Sequence, residues 1–259
     1  MGLELPASLS PSKVVAFRDC ALAFKYAVID RLPEPPSSPA AKGTLVHRAL
    51  ELLYGREPAE RTLDHALDDL ARSWDDVMLG EEYAGLVLDD EAAFRASAEE
   101  LVRRYFQLED PTTIRPIGLE LFLSTPLNDS VHLRGIIDRL ELDEDGELVV
   151  TDYKTGKVPG ERFEQGRLTG VHFYAYLCEK LFGRRPARIQ LLYLGEPVAI
   201  IATPSEQSTR GLERKVGAIW SAIERACERD DFRPKPGTLC TWCAFRDHCP
   251  AFGGSALAS

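Results

Sequence analysis

The strongest constraint on this chain is the stretch Arg134 to Gly156, RGIIDRLELDEDGELVVTDYKTG. Two apolar, β-branched runs, Gly135 to Leu142 and Glu147 to Tyr153, flank an acidic turn ending in Gly146, which is the pattern of a β-hairpin. A three-residue loop Glu144-Asp145-Gly146, with the glycine left-handed, sets Leu142 against Leu148 and Asp138 against Asp152. Side chains alternate along a strand, so Lys154 shares the face of Asp152 while Tyr153 points the other way. Val149-Val150 and Ile136-Ile137 make both strands apolar on both faces, which predicts central strands. Charges at the end of a buried strand then need a reason.

Paired carboxylates repel, and each resists ionisation unless a cation sits between them. Hard oxygen ligands at this spacing suit Mg²⁺ or Mn²⁺, and Lys154 can reach whatever the ion activates. Asp-x-Lys alone more often marks a solvated hairpin with ordinary surface charges. The apolar setting of the two strands is what turns the reading toward a metal site.

A chain of 259 residues can bury the core of one elaborated domain. Neither a 20-residue apolar run nor a signal-peptide pattern occurs, which predicts a soluble, cytoplasmic protein. Six cysteines in that compartment read as metal ligands or buried thiols. The net charge of −10 is local in origin, because residues 57 to 110 hold 16 acidic against 5 basic side chains, a balance of −11. The remainder sums to about +1, so a nucleic-acid surface there is compatible with the charge.

Along the chain, Ser10 and Pro11 cap and open a helix whose stripe is Val14, Val15, Phe17, Leu22 and Phe24, with Cys20 inside it. Four prolines between Leu32 and Pro39 predict an extended connector. Gly43 then opens a helix to about Tyr54, with His47 near its start. Apolar periodicity predicts two surface helices in the acidic segment, over 62–79 and 89–108, with the runs Asp75-Asp76, Glu81-Glu82 and Asp89-Asp90-Glu91 solvated. Ile114 to Ser124 reads as a strand pairing with the hairpin and carries Glu120 in an apolar context. An amphipathic helix follows over Leu168 to Phe182, bearing His172, Tyr176 and Cys178. Strands over Ile189–Leu194 and Val198–Thr203 and a closing helix over Ser205–Arg229 complete the pattern, before a short low-complexity tail from Gly253 to Ser259. Together these elements predict an α/β fold, a mixed central sheet flanked by helices. No phosphate-cradling G-x-x-x-x-G-K-[ST] loop is present.

Cys240-x2-Cys243-x5-Cys249 places three thiols in a turn-rich loop, and Cys20 is the candidate fourth. Four thiolates hold either zinc or an iron–sulfur cluster, and spacing leaves both open. Cys178 and Cys227, in apolar helical settings, read as packing residues.

The ordered set Leu9-Ser10-Pro11-Ser12, Cys20, Gly43-x3-His47, Gly135-x2-Asp138, Asp152-Tyr153-Lys154, Tyr176 and Cys240-x2-Cys243-x5-Cys249 resembles the RecB-family nucleases of the PD-(D/E)xK superfamily. The likeness is to the stand-alone iron–sulfur members, which include CRISPR-associated exonucleases, and it spans nearly the whole chain as one nuclease domain. The resemblance implies a restriction-endonuclease-like fold and a Mg²⁺- or Mn²⁺-dependent exonuclease acting on single-stranded DNA or DNA ends. It implies that His47, Asp138, Asp152 and the Tyr153 main-chain carbonyl hold the ion, and that Lys154 acts on the water and the scissile phosphate. By the same likeness Cys20, Cys240, Cys243 and Cys249 carry a structural [4Fe–4S] cluster, and a helicase, CRISPR or repair protein is the partner. The family's Gln-x3-Tyr is here His172-x3-Tyr176, and these two are the implied substrate contacts. The 57–110 insertion matches no motif. Two other classes fit the same residues: a catalytically silent DNA-binding or helicase-partner scaffold, and a zinc-stabilised DNA-binding protein.

Overall fold

The computed structural model describes residues 2–158, 160 and 164–254, with backbone alone for 164–169. The end of the low-complexity tail, 255–259, lies outside the described residues. A mixed sheet runs in the order β1 (Ser8–Leu9), β3 (Val131–Leu142), β4 (Leu148–Lys154), β5 (Arg188–Tyr193), β6 (Val198–Ala202), with β2 (Arg115–Asn128) paired to β3. β3 and β4 are antiparallel, β4 and β5 parallel, β5 and β6 antiparallel.

The central hairpin follows the predicted register. Leu142 faces Leu148 and Arg139 faces Thr151, Gly146 is left-handed at φ 75°, and its amide donates to the Asp143 carbonyl at 3.0 Å. The Asp143 carboxylate accepts from the amides of Asp145 and Glu147, which locks the turn from inside. Six of the seven β4 residues are buried, as a strand between two neighbours requires. β3 differs from expectation in its first half. Exposure alternates as far as Ile136, which is open to solvent while Ile137 is buried, so only the second half of that strand is covered on both faces.

The chain forms two compact units, one comprising 1–35, 124–135 and 206–259, the other 36–123 and 136–205. In the first, Ser10 caps α1 (Pro11–Asp19), its hydroxyl accepting from the Lys13 amide at 3.3 Å. Cys20 is not inside a helix as expected. Its extended backbone (φ −158°, ψ 111°) ends α1 and starts α2 (Ala21–Phe24), which continues as a π-helical turn, Lys25–Ile29. The long α7 (Glu206–Arg229) buries Leu212, Val216, Trp220, Ile223 and Cys227.

In the second unit α3 (Ser38–Tyr54) begins five residues earlier than predicted. Ser37 caps it and Pro39 sits in the first turn, where a missing amide costs nothing. His47 is therefore mid-helix and not near the start. α4 (Leu63–Met78) and α5 (Glu91–Tyr105) pack on α3 through Ala66, Leu70, Val77, Phe94, Ala98, Leu101 and Val102, while the predicted acidic runs are exposed. α6 (Glu164–Phe182) completes the set.

Candidate metal site and cysteine cavity

Three elements of the second unit converge on one spot. The register that pairs Arg139 with Thr151, extended by one residue, brings Asp138 opposite Asp152. α3 delivers His47, whose Nδ1 lies 3.6 Å from Asp138 Oδ2, and β2 delivers Glu120. Ligand atoms of His47, Glu120 and Asp138 all fall within 4.8 Å of one another. The Tyr153 amide donates to Asp138 Oδ2 at 2.6 Å, and the His47 ring bonds to the Tyr153 main chain. Both groups are thus held from the backbone of β4. Lys154 pairs with Asp152 Oδ2, and the Tyr174 hydroxyl reaches Asp152 Oδ1 at 3.5 Å.

The electrostatics are those of a site short of positive charge. Burial, and then the neighbouring Asp152 charge, holds the Asp138 carboxyl well above the usual range. Glu120 is raised by burial and by the charges of Glu51 and Asp152. Burial lowers the His47 imidazole despite the pull of Asp152, leaving a neutral ring with a free lone pair near pH 7. For Lys154, burial acts downward, but the charge of Asp152 and its hydrogen bond prevail and keep the ammonium protonated. Apart from that ion pair, the buried Asp152 Oδ2 has no hydrogen-bond partner among the described residues. A cluster of hard oxygens with one unsatisfied lone pair and a neutral imidazole fits a divalent cation.

On the opposite face of the hairpin, Arg139 is fully buried. It donates to Tyr54 at 2.6 Å, Tyr153 at 2.8 Å, both Glu109 oxygens at 2.8 and 2.9 Å, Thr151 at 3.0 Å, and Glu141. The network anchors the Tyr153 ring, whose main chain carries Asp138 and His47.

Sequence reasoning left Glu120 without a metal role, and it did not single out Tyr174. The lone acid was visible in its apolar run, but its aim depends on a left-handed backbone at Glu120, φ 43°, in the middle of a strand. Of the two α6 residues expected to meet substrate, Tyr176 is buried, with the Lys180 ammonium over its ring at 5.3 Å, and His172 is half-buried. Tyr174, between them, donates to Asp152.

In the first unit Cys20, Cys240, Cys243 and Cys249 line one cavity of about 580 Å³. Burial raises the Cys243 thiol, as do the three other sulfurs around it, while the Phe245 amide opposes the shift. The Gly237 amide donates to Cys240 Sγ at 3.3 Å. Cys178, by contrast, is fully buried, and burial pushes its thiol up to about 12, as for an inert packing residue. The extended backbone at Cys20 offers its thiol from a gap between helices.

A mixed sheet carrying a carboxylate pair and a lysine, with a helical histidine beside them, is an arrangement whose oxygen and imidazole groups suit a divalent ion. The chain matches the family model of the PD-(D/E)XK nuclease superfamily over residues 8–250, and it belongs to that superfamily. It is 25% identical to the Gene 69 protein of Mycobacterium phage D29, over 94% of this chain and 96% of that one. A second relative, the Gene 69 protein of Mycobacterium phage L5, is 26% identical over 55% of this chain and 45% of its own length. Among solved structures, a "Putative exonuclease" from Eubacterium rectale superposes with a TM-score of 0.55 at 12% identity, covering 92% of this chain and 87% of that one. That likeness is one of fold. No helix among the described residues is long and apolar enough to cross a membrane.

Proposed function

We propose that this chain is a divalent-metal-dependent deoxyribonuclease, an exonuclease of single strands or DNA ends in repair, recombination or CRISPR adaptation. The observation that carries the reading is the convergence of His47, Glu120 and Asp138 within 4.8 Å, beside Asp152, whose Oδ2 is paired only with Lys154 among the described residues. His47, Asp138, Asp152 and the Tyr153 carbonyl hold the ion, with Glu120 added to the set implied by resemblance. When bound, Mg²⁺ or Mn²⁺ supplies Lewis acidity and an activated water. The raised, protonated Lys154 is suited to stabilise charge developing on the phosphate and unsuited to accept a proton. Tyr174 orients Asp152. Purified protein with Mn²⁺ should degrade labelled DNA, and Lys154→Ala should lower the rate at least about a hundredfold, as removal of one charge-stabilising group does. Undiminished activity in that variant would remove the mechanism.

The cysteine cavity supports a RecB-like, iron–sulfur-stapled member of the superfamily. Four thiols around one cavity, with amide donors on two of them, suit a polynuclear cluster. Anaerobic purification should yield iron and sulfide, and zinc alone would overturn this part.

A further inference from the structure

Beside the metal site the sheet surface changes character. Phe122 and Ile136 are 58% and 48% exposed, while their chain neighbours Leu123 and Ile137 are buried. In a pleated sheet that alternation puts both exposed side chains on the face away from the core. Ile136 shares its face with Asp138, two residues on. Phe122 is two residues from Glu120, whose carboxylate meets Asp138 across the β2–β3 pair. The two exposed apolar residues thus lie on paired strands, each two residues, about 7 Å of strand, from an acid of the metal site. Asp138 is buried and Ile136 is open, so the pair lies at the mouth of the site.

Resting on the nuclease reading, we propose that Phe122, seated beside Ile136, stacks an unpaired nucleobase of the nucleotide next to the phosphate held at the ion. Continuity with the metal site decides the occupant. Whatever places a phosphate diester among His47, Asp138 and Lys154 must carry a base past these side chains. An aromatic face accepts any base and requires that base to be out of its pair, so the platform selects single strands or frayed ends without reading sequence.

The test uses the full chain and a labelled oligonucleotide, with and without one abasic residue beside the cleaved bond. Phe122→Ala should weaken single-strand binding and raise KM between about 5-fold and about 150-fold, the range of one stacked base, with kcat nearly kept. Phe122→Tyr should restore wild-type behaviour. The abasic substrate should show the same loss with the wild type and no further loss with Phe122→Ala. Equal binding and KM for wild type and Phe122→Ala, or a penalty for Phe122→Ala that persists undiminished on the abasic strand, overturns the proposal. Binding is also read by fluorescence anisotropy, in Lys154→Ala and in the wild type. Phe122-dependent binding by a wild-type chain that cleaves no DNA with Mn²⁺ would leave the platform standing and refute the nuclease reading, whereas Phe122-independent cleavage would do the reverse.

Discussion

Replacing Arg139 by methionine should cost about 3–5 kcal/mol of stability, the usual penalty for breaking a buried ion pair from one side. The guanidinium is fully buried and meets two carboxylates, Glu109 and Glu141, whose side chains are only 13% and 7% exposed. Methionine fills most of the volume but leaves both acids without the Arg139 charge and takes a donor from the hydroxyls of Tyr54 and Tyr153. Burial already outweighs the arginine's pull on Glu141, holding its carboxyl above the ordinary range, and loss of the arginine pushes it further up. With a sensitivity of about 2–4 °C per kcal/mol for a chain of this size, the melting temperature should fall by about 6–20 °C. Urea denaturation and calorimetry measure the loss. The triple variant Arg139→Met/Glu109→Gln/Glu141→Gln removes the stranded charges along with the arginine and should recover most of it. A loss under about 1 kcal/mol for the single variant, or a triple variant no better than the single, would refute the view that unpaired charge is what costs.

Asp138→Asn should stabilise the metal-free protein at neutral pH and abolish its stabilisation by Mn²⁺. Because the raised Asp138 carboxyl binds its proton more tightly in the folded state, its contribution is fully favourable below the unfolded value of about 3.9 and is lost as pH rises through the raised one. The difference in melting temperature between Asp138→Asn and wild type should therefore widen from about pH 4 toward pH 7, and Mn²⁺ should close it; a difference independent of pH would contradict the assignment. Cys243→Ser, in anaerobically purified protein, should lower iron content and the melting temperature together, and a variant that melts like wild type would show that the four thiols staple nothing. Gly195→Ala should destabilise by about 1–3 kcal/mol, because its Cβ would sit 2.6 Å from the Gly156 carbonyl oxygen, a backbone atom that cannot swing aside; unchanged denaturation would show that the 156 turn moves freely.

The hairpin was readable because its determinants are local: two β-branched runs, a turn of stated length and one glycine fix which residues face each other. The same holds for the cap at Ser10. Errors fell where one residue's backbone departs from its element. Periodicity runs smoothly through Cys20, so nothing in the stripe announces the extended break that frees its thiol. Pro39 looks like a helix breaker unless the first turn starts just before it. Glu120 was visible as an acid out of place, but only a left-handed φ within the strand turns it toward Asp138. Tyr174 differs from Tyr176 by a rotation about the α6 axis that composition does not encode. The Arg139 network depends on three tyrosines and two glutamates, most of them distant in the chain, so no spacing reveals it.

The turn at residues 144–146 has a consequence for how this gene can vary. Because neighbouring side chains on a strand point to opposite sides, inserting or deleting a single codon there would slide one strand past its partner and separate the two aspartates across the sheet. Loops elsewhere can lengthen by odd or even numbers with little harm, but this one tolerates only changes that leave the two acids facing each other.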